Sequence, residues 1–444
     1  MATSRALRTD LVDAVVLEVY GLVRDQGWLA DRALERVLRR EKRLYAVERR
    51  AAAESVYGLI RAQGQLDFVL TGALPGEAAR ARPALSLAYA AWLARSGAAP
   101  LDAAAKRLGV PRRELAPVEA AGKAIAALAD PLSRFAVEAS LPRWIAERFA
   151  AELGLDEAVR LGKAMNERAP LTVRANLLRG PREDLQARLA EEGVESTPTP
   201  HSPWGLTLDG HANAFALRAF QEGHFEIQDE GSQLIALALG ARPNHKLVVD
   251  ACAGAGGKSL ALAMEMRNKG SLLALDPDAE RLEEAKRRAR RAGVHNLRDR
   301  AIPPDETADE ALKDLAGKAE RVLVDAPCSG LGTLRRKPDA RWRLRPEDPA
   351  RFAGLQRSIA VRCAKLLKPG GRLVYATCSL GRTENDEVAD FLATAAPGLV
   401  PVPLSETLGA ERAAALGADG NRLQLYPHRH GTDGFFMALF QREK

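Results

Sequence analysis

The chain has 444 residues, 46% apolar and 28% charged, with 65 lysines and arginines against 58 acids and a net charge of +7. That balance excludes a disordered or fibrous chain, and at about 150 residues per domain the length suggests roughly three domains. The apolar run 85–94 is too short to cross a bilayer, and Arg5, Arg8 and Asp10 occupy the place of a signal peptide's apolar stretch. A cytoplasmic location without a membrane partner is therefore expected. The positive charge favours a polyanionic partner without naming one. Cys252, Cys328, Cys363 and Cys378 are separated by 76, 35 and 15 residues, unlike the close pairs of a zinc site, so reduced thiols and no metal are expected.

In chain order, Val12, Val15, Val16, Val19 and Val23, then Ala52, Val56, Leu59 and Ile60, follow helical spacing. The cations Arg32, Arg36, Arg39, Arg40, Lys42, Arg43, Arg49 and Arg50 leave open a solvated helical face or an RNA-facing one. Helical sequence continues to about residue 165. A strand is predicted over 171–178, a helix over 181–192 and a strand over 204–208. From about 230 the pattern alternates: helix 232–239, strand 246–250, a glycine-rich turn and a helix through Met266. Then come strand 271–276, helix 279–292, strand 321–325, an inserted helix over 306–318 before it, and strand 372–376 after the turn 368–371. Such alternation predicts a mostly parallel sheet flanked by helices, with ligands at the carboxyl ends of the strands.

The first of those ends carries Cys252, Ala253, Gly254, Ala255, Gly256, Gly257 and Lys258 between strand and helix. Glycines there let backbone approach a ligand, although such turns also serve packing. A phosphate-binding loop would need glycine six residues before the lysine, and position 252 is cysteine. Asp276, closing the next strand, stands where an acid receives ribose hydroxyls, or where a helix N-cap would sit.

Strand 321–325 delivers Asp325, then Pro327, Cys328, Ser329 and Gly330; strand 372–376 delivers Thr377, Cys378 and Ser379. An isolated cysteine is usually a small buried hydrophobe, but two at successive strand ends beside a cofactor turn point to chemistry. Carbon 5 of cytosine is a poor nucleophile. A thiolate added at carbon 6 pushes electron density to carbon 5, a sulfonium methyl is captured there, and a proton then leaves. Cys378, Cys328 and Asp325 suit the nucleophile, the group assisting elimination and the acid on the pyrimidine edge, with Lys258 favouring the thiolate. Arg335, Arg336, Arg341 and Arg343 around Trp342 offer phosphate contacts and a stacking surface, or a solvated loop.

Taken together, the turn 251–258, the run from Asp325 to Trp342 and the segment from Pro369 to Ser379 resemble the Nol/Nop/Sun family of RNA cytosine-5 methyltransferases. The resemblance spans roughly 140–440, including Pro142, Trp144, 225–230 and Thr432 to Phe436. It implies a Rossmann-like α/β catalytic domain using S-adenosyl-L-methionine, contacted by 252–258, Asp276 and Asp325, with Cys378 as nucleophile and Cys328 in product release. The N-terminal segments 31–34, 56–61 and Leu66-Asp67 resemble a NusB-like RNA-binding domain. The implied layout is an all-α NusB-like domain over 1–135, a helical linker and small α/β subdomain over 136–225, and the methyltransferase domain over 226–444. That layout is similar to a bacterial small-subunit (16S) ribosomal RNA methyltransferase, so ribosomal RNA is the expected partner. The family's acid for the adenine side has no match here: Asp299 comes early, and Asp305 or backbone near Ala301 and Ile302 are the alternatives. Transfer RNA as substrate, or an RNA-binding assembly or antitermination factor without catalysis, remain the rival readings; a nicotinamide-dependent dehydrogenase lacks its hydride-transfer residues. Oligomeric state is not legible.

Overall fold

The computed structural model describes residues 7–77, 82–210 and 213–444; Arg5 lies outside them. The chain divides into two units, one made of residues 1–168 with 333–346 and the other of 169–332 with 347–444. The expected boundary at 135 falls inside the first unit: Val137 shares an apolar cluster with Val69, Ala121 and Ile125.

The first unit is helical. In Thr9–Gln26 the valines at 12, 15, 16, 19 and 23 form the buried stripe, and the helix stops at Gly27, whose φ of 71° gives the left-handed cap. The helix Ala46–Thr71 continues that core through Ala52, Val56, Leu59 and Ile60. Buried Asp13 is satisfied by Tyr89 Oη at 2.9 Å and by both sides of the Arg107 fork at 2.6 and 2.5 Å, the pairing a desolvated carboxylate requires. Much of the arginine face is locally engaged. Arg39 pairs with Glu35 and Arg43 with Glu41, while Arg49 donates to the carbonyls of Leu38, Glu41 and Leu44.

The second unit holds two sheets. Strands β1 (Leu171–Ala175), β2 (Ser196–Pro198), β3 (Gly205–Leu208) and β4 (Phe225–Ile227) form an antiparallel sheet in the order β2-β3-β1-β4. The first strand stops three residues before its expected end: beyond Ala175 the chain turns, with the Asn176 side-chain amide donating to the Gly223 and Ala292 carbonyls at 2.8 and 2.7 Å.

The larger sheet contains β5 (Leu247–Asp250), β6 (Ser271–Asp276), β7 (Leu297–Ala301), β8 (Ala319–Asp325), β9 (Leu367–Thr377), β10 (Leu399–Pro401), β11 (Arg422–Leu425) and β12 (Phe435–Arg442). Its order is β10-β12-β9-β8-β5-β6-β7, with β11 against β12. The strands from β9 through β7 run parallel, and β10, β11 and β12 close the far edge antiparallel. Helices cover both faces, which is why Val248, Val249, Val322, Leu323 and Val324 form continuous apolar runs. The helix Ala279–Ala292 shows the division of labour: Leu282, Ala285, Ala289 and Ala292 face inward, Asp278 caps the start and Gly293 the end.

Two expectations change. The strand read as 372–376 begins at Leu367 and absorbs the turn 368–371 as an irregularity in its pairing with β8. The inserted helix over 306–318 is one short helix, Ala308–Ala311, and a 3-10 turn, Lys313–Leu315. Among the described residues no helix is long and apolar enough to cross a membrane, and no group of three or more His, Cys, Asp or Glu is placed to hold a metal.

Candidate active site

The parallel order β9-β8-β5-β6 brings four strand ends side by side; Cys378, Cys328, Asp325, Cys252 and Asp276 stand at or just beyond them, and Lys258 opens the helix after β5. A cavity of about 440 Å³ opens there, lined by Ala251 to Gly254 after β5, Leu275 to Pro277 after β6, Asp325 and Pro327 after β8, and Ile302 to Pro304 after β7. Its size suits a nucleoside-sized ligand.

Only half of the glycine-rich turn faces that cavity. Gly256 has φ 82°, starts the helix Gly257–Glu265, and a Cβ on it would lie 2.8 Å from Ala285 Cβ, so packing and backbone conformation both demand glycine. The Ala255 carbonyl accepts from Arg288 at 2.9 Å. Ala255, Gly256, Gly257 and Lys258, expected at the cofactor, do not line the cavity; they shape the turn that does. Asp276 is buried, accepting from Gly254 N at 2.8 Å and from Asp278 N at 2.9 Å. It therefore braces the turn, and the helix cap considered for it belongs to Asp278.

Neither candidate acid for the far end of the cavity lines it. Asp299 is in an ion pair with Lys286, and Asp305 closes a local turn onto Thr307. The Ile302 N–H is committed to the Asp276 carbonyl, and Pro303 and Pro304 carry no donor. That end is an apolar wall of Ile302, Pro303, Pro304 and Leu312.

Cys328 and Cys378 meet with Sγ atoms 3.0 Å apart, and Cys378 N donates to Cys328 Sγ at 3.3 Å. The pairing of Asp325 with Ala376 across β8 and β9 puts the two turns level. Cys328 is held well above the usual thiol range, first by its hydrogen bond with Cys378 and then by burial. Lys258 Nζ sits 2.6 Å from Asp325 Oδ2. Burial pulls that ammonium down, but the Asp325 carboxylate, with a contribution from Cys378, leaves it raised, so a cation stands beside the thiols. The other cysteines are desolvated: burial pushes Cys252 well up and Cys363 to about 12.

A third turn completes the arrangement. Gly332 N donates to the Cys378 carbonyl at 2.9 Å and Gly434 N to the Gly332 carbonyl at 2.8 Å. A Cβ on Gly332 would lie 2.1 Å from Gly434 O, which explains glycine in both segments.

The run after Gly332 corrects the expectation of an RNA-facing surface. Within the helical unit Arg341 is fully buried, its guanidinium donating to the carbonyls of Ala139, Ser140, Met165 and Leu334 and to Asn166 Oδ1. Trp342 donates its indole N–H to Ile60 O at 2.9 Å, and a Cβ on Gly64 would lie 2.7 Å from its ring. Arg335 is buried too, and its carbonyl accepts from Arg61. Arg336 is half-buried, and Arg343 is exposed with Asp339 as its ion-pair partner. Arginine composition alone does not distinguish a guanidinium that binds phosphate from one that binds carbonyls. Arg341→Met should lower stability in urea unfolding by about 3 kcal/mol, since five acceptors lose a charged donor; a loss below about 1 kcal/mol would show that water replaces it.

The sequence reading did not single out Gln356, Glu384 and Asn385, all fully buried behind the cysteines. Asn385 accepts from Thr377 Oγ1 at 2.5 Å and donates to the Ser379 carbonyl at 3.1 Å. The available signal was an acid-amide pair six and seven residues beyond a strand-end cysteine.

Sheet order, cavity and paired thiols define the class: a Rossmann-like methyltransferase domain with a smaller antiparallel sheet beside it. Residues 236–441 match the family described as 16S rRNA methyltransferase RsmB/F, and 141–214 match the ferredoxin-like domain of RsmF/B-like methyltransferases. The probable ribosomal RNA small subunit methyltransferase B of Bacillus subtilis is 36% identical over 71% of this chain and 70% of its own length. The ribosomal RNA small subunit methyltransferase B of Xanthomonas campestris is 31% identical over 88% and 97%. The crystal structure of PH0851 is similar with a TM-score of 0.77 and 27% identity, covering 99% of this chain and 100% of that one. The chain belongs to the RsmB/F family of 16S rRNA methyltransferases.

Proposed function

We propose that the protein methylates carbon 5 of a cytosine in small-subunit ribosomal RNA through a covalent adduct with Cys378. The observation that carries this is the contact of two thiols on neighbouring strand ends next to Asp325 and Lys258. A single nucleophile needs no second sulfur at its side, whereas addition followed by elimination uses two groups.

The cavity fits S-adenosyl-L-methionine by its volume, by a buried acid in Asp276 and by an apolar wall that would suit an adenine ring. Ala251 to Gly254, Asp276, Pro327 and Ile302 to Pro304 would hold it, and when bound it supplies an electrophilic sulfonium methyl. Cys378 Sγ, its negative charge favoured by Lys258, adds to carbon 6 of the cytosine. Asp325, with one oxygen committed to Lys258, meets the pyrimidine edge with the other. Cys328, its thiol held above the usual range, donates its proton to Cys378 Sγ as the carbon 6–sulfur bond breaks, the carbon 5 proton passing to water. The base must be unstacked or single-stranded to reach these groups.

Incubation with ribosomal RNA and methyl-labelled cofactor should yield 5-methylcytosine. Product only on transfer RNA, or RNA binding with no cofactor binding in calorimetry, would replace this reading by one of its rivals. Asp276→Ala should weaken cofactor binding about tenfold or more, through loss of the turn's brace as well as any ribose contact; unchanged calorimetric affinity would remove Asp276 from the site.

A further inference from the structure

We propose that Glu384 is a positioning residue for the active-site thiols: by accepting hydrogen bonds from both cysteine-bearing turns, its carboxylate holds Cys328 and Cys378 in contact. Glu384 is fully buried. Its Oε1 accepts from Ser329 N at 2.8 Å and Gln356 Nε2 at 3.2 Å; its Oε2 accepts from Ser329 Oγ at 2.5 Å and Ser379 Oγ at 2.7 Å. Ser329 follows Cys328 and Ser379 follows Cys378, so the carboxylate joins the residues immediately beyond both sulfurs.

The surroundings are built to hold this group. Gln356, from the helix Asp348–Ala364, also donates to the Pro327 carbonyl at 2.9 Å. Tyr375 Oη, on β9, donates to the Glu384 carbonyl at 2.5 Å, with Gln356 Oε1 at 3.1 Å. A buried carboxylate is costly unless hydrogen-bonded, and here four donors converge on a group that only accepts. The backbone N–H of Ser329 cannot reverse its role, so Oε1 must be an acceptor, whereas the two hydroxyls at Oε2 can donate or accept. Glutamine therefore satisfies the site, with its NH2 directed at the hydroxyls, while alanine leaves both turns untied. The negative charge of Glu384 adds to the elevation of the Cys328 thiol, behind the Cys378 hydrogen bond and burial.

The catalytic consequence rests on the methyltransferase reading; the geometric consequence does not, and a thiol probe separates them. With dipyridyl disulfide, one cysteine thiolate attacks the reagent, forming a mixed disulfide and releasing one pyridinethione. The neighbouring thiol loses its proton to solvent and attacks the protein-bound sulfur, forming the Cys328–Cys378 bond and releasing the second. Peptide mapping distinguishes this bond from reaction at Cys252 or Cys363.

Glu384→Ala should slow the second release at least about tenfold and methylation on the order of 100-fold, while Glu384→Gln restores cross-linking to within about threefold and methylation to within about tenfold of wild type. Wild-type cross-linking in Glu384→Ala, or a glutamine variant as slow as alanine, overturns the proposal. Should the alanine variant not fold, Ser329→Ala/Ser379→Ala removes two of the four bonds; slower cross-linking supports the clamp and an unchanged rate overturns it. Slowed cross-linking in a protein whose wild type methylates no RNA would uphold the clamp and refute the methyltransferase reading.

Discussion

Cys378→Ala is expected to lower 5-methylcytosine formation by on the order of 10⁴-fold or more, because under the proposed mechanism it removes the covalent nucleophile and leaves only binding and electrostatic assistance. No protein–RNA adduct should survive denaturation. The side chain is half-buried and small and does not line the cofactor cavity. The variant should therefore fold and bind cofactor in calorimetry with affinity within about threefold of wild type. Methylation at more than about a hundredth of the wild-type rate would mean that another group attacks the base.

Cys328→Ala should give the opposite signature. Its thiol stands above the ordinary range because of the Cys378 hydrogen bond and burial, so at neutral pH it carries the proton. Without it, methyl transfer to the first equivalent of RNA proceeds, elimination stalls, and steady-state turnover falls about 100-fold or more as a denaturation-resistant adduct accumulates. Burst kinetics and gel analysis of the same reactions read both effects. If the adduct instead accumulates in Cys378→Ala and disappears in Cys328→Ala, the two sulfurs exchange roles.

Much of this site was legible because its elements are short-range. The β5 strand running into Cys252 to Lys258, and Asp276 at the end of β6, are each a contiguous pattern of apolar strand, turn and helix. Their periodicity survives without knowledge of neighbours. Assignments that depended on partners fared differently. Asp276 and Asp278 are two residues apart, and only the hydrogen bonds decide which caps the helix and which braces the turn. Gly256 and Gly254 look equivalent in sequence, yet one packs on Ala285 and the other faces the cavity.

Arg341 shows the same limit. A run of arginines around a tryptophan reads as a nucleic-acid surface, and three of the four carbonyls that claim Arg341 come from residues 139, 140 and 165, far away in the chain. The edge strands β10 and β11 were not predicted, since three or four residues carry too little periodicity and gain their place through pairing with β12.

By itself, the amino-acid sequence determined the α/β alternation, the glycine-rich turn after β5 and the two cysteines at strand ends, because each is written in local hydrophobic period and turn chemistry. The tertiary structure alone decided that those sulfurs touch, that Lys258 neutralises Asp325, and that Glu384 ties the cysteine turns together. Strand order is set by packing between segments distant in the chain, and a hydrogen-bond network exists only once that order has brought its donors to one acceptor.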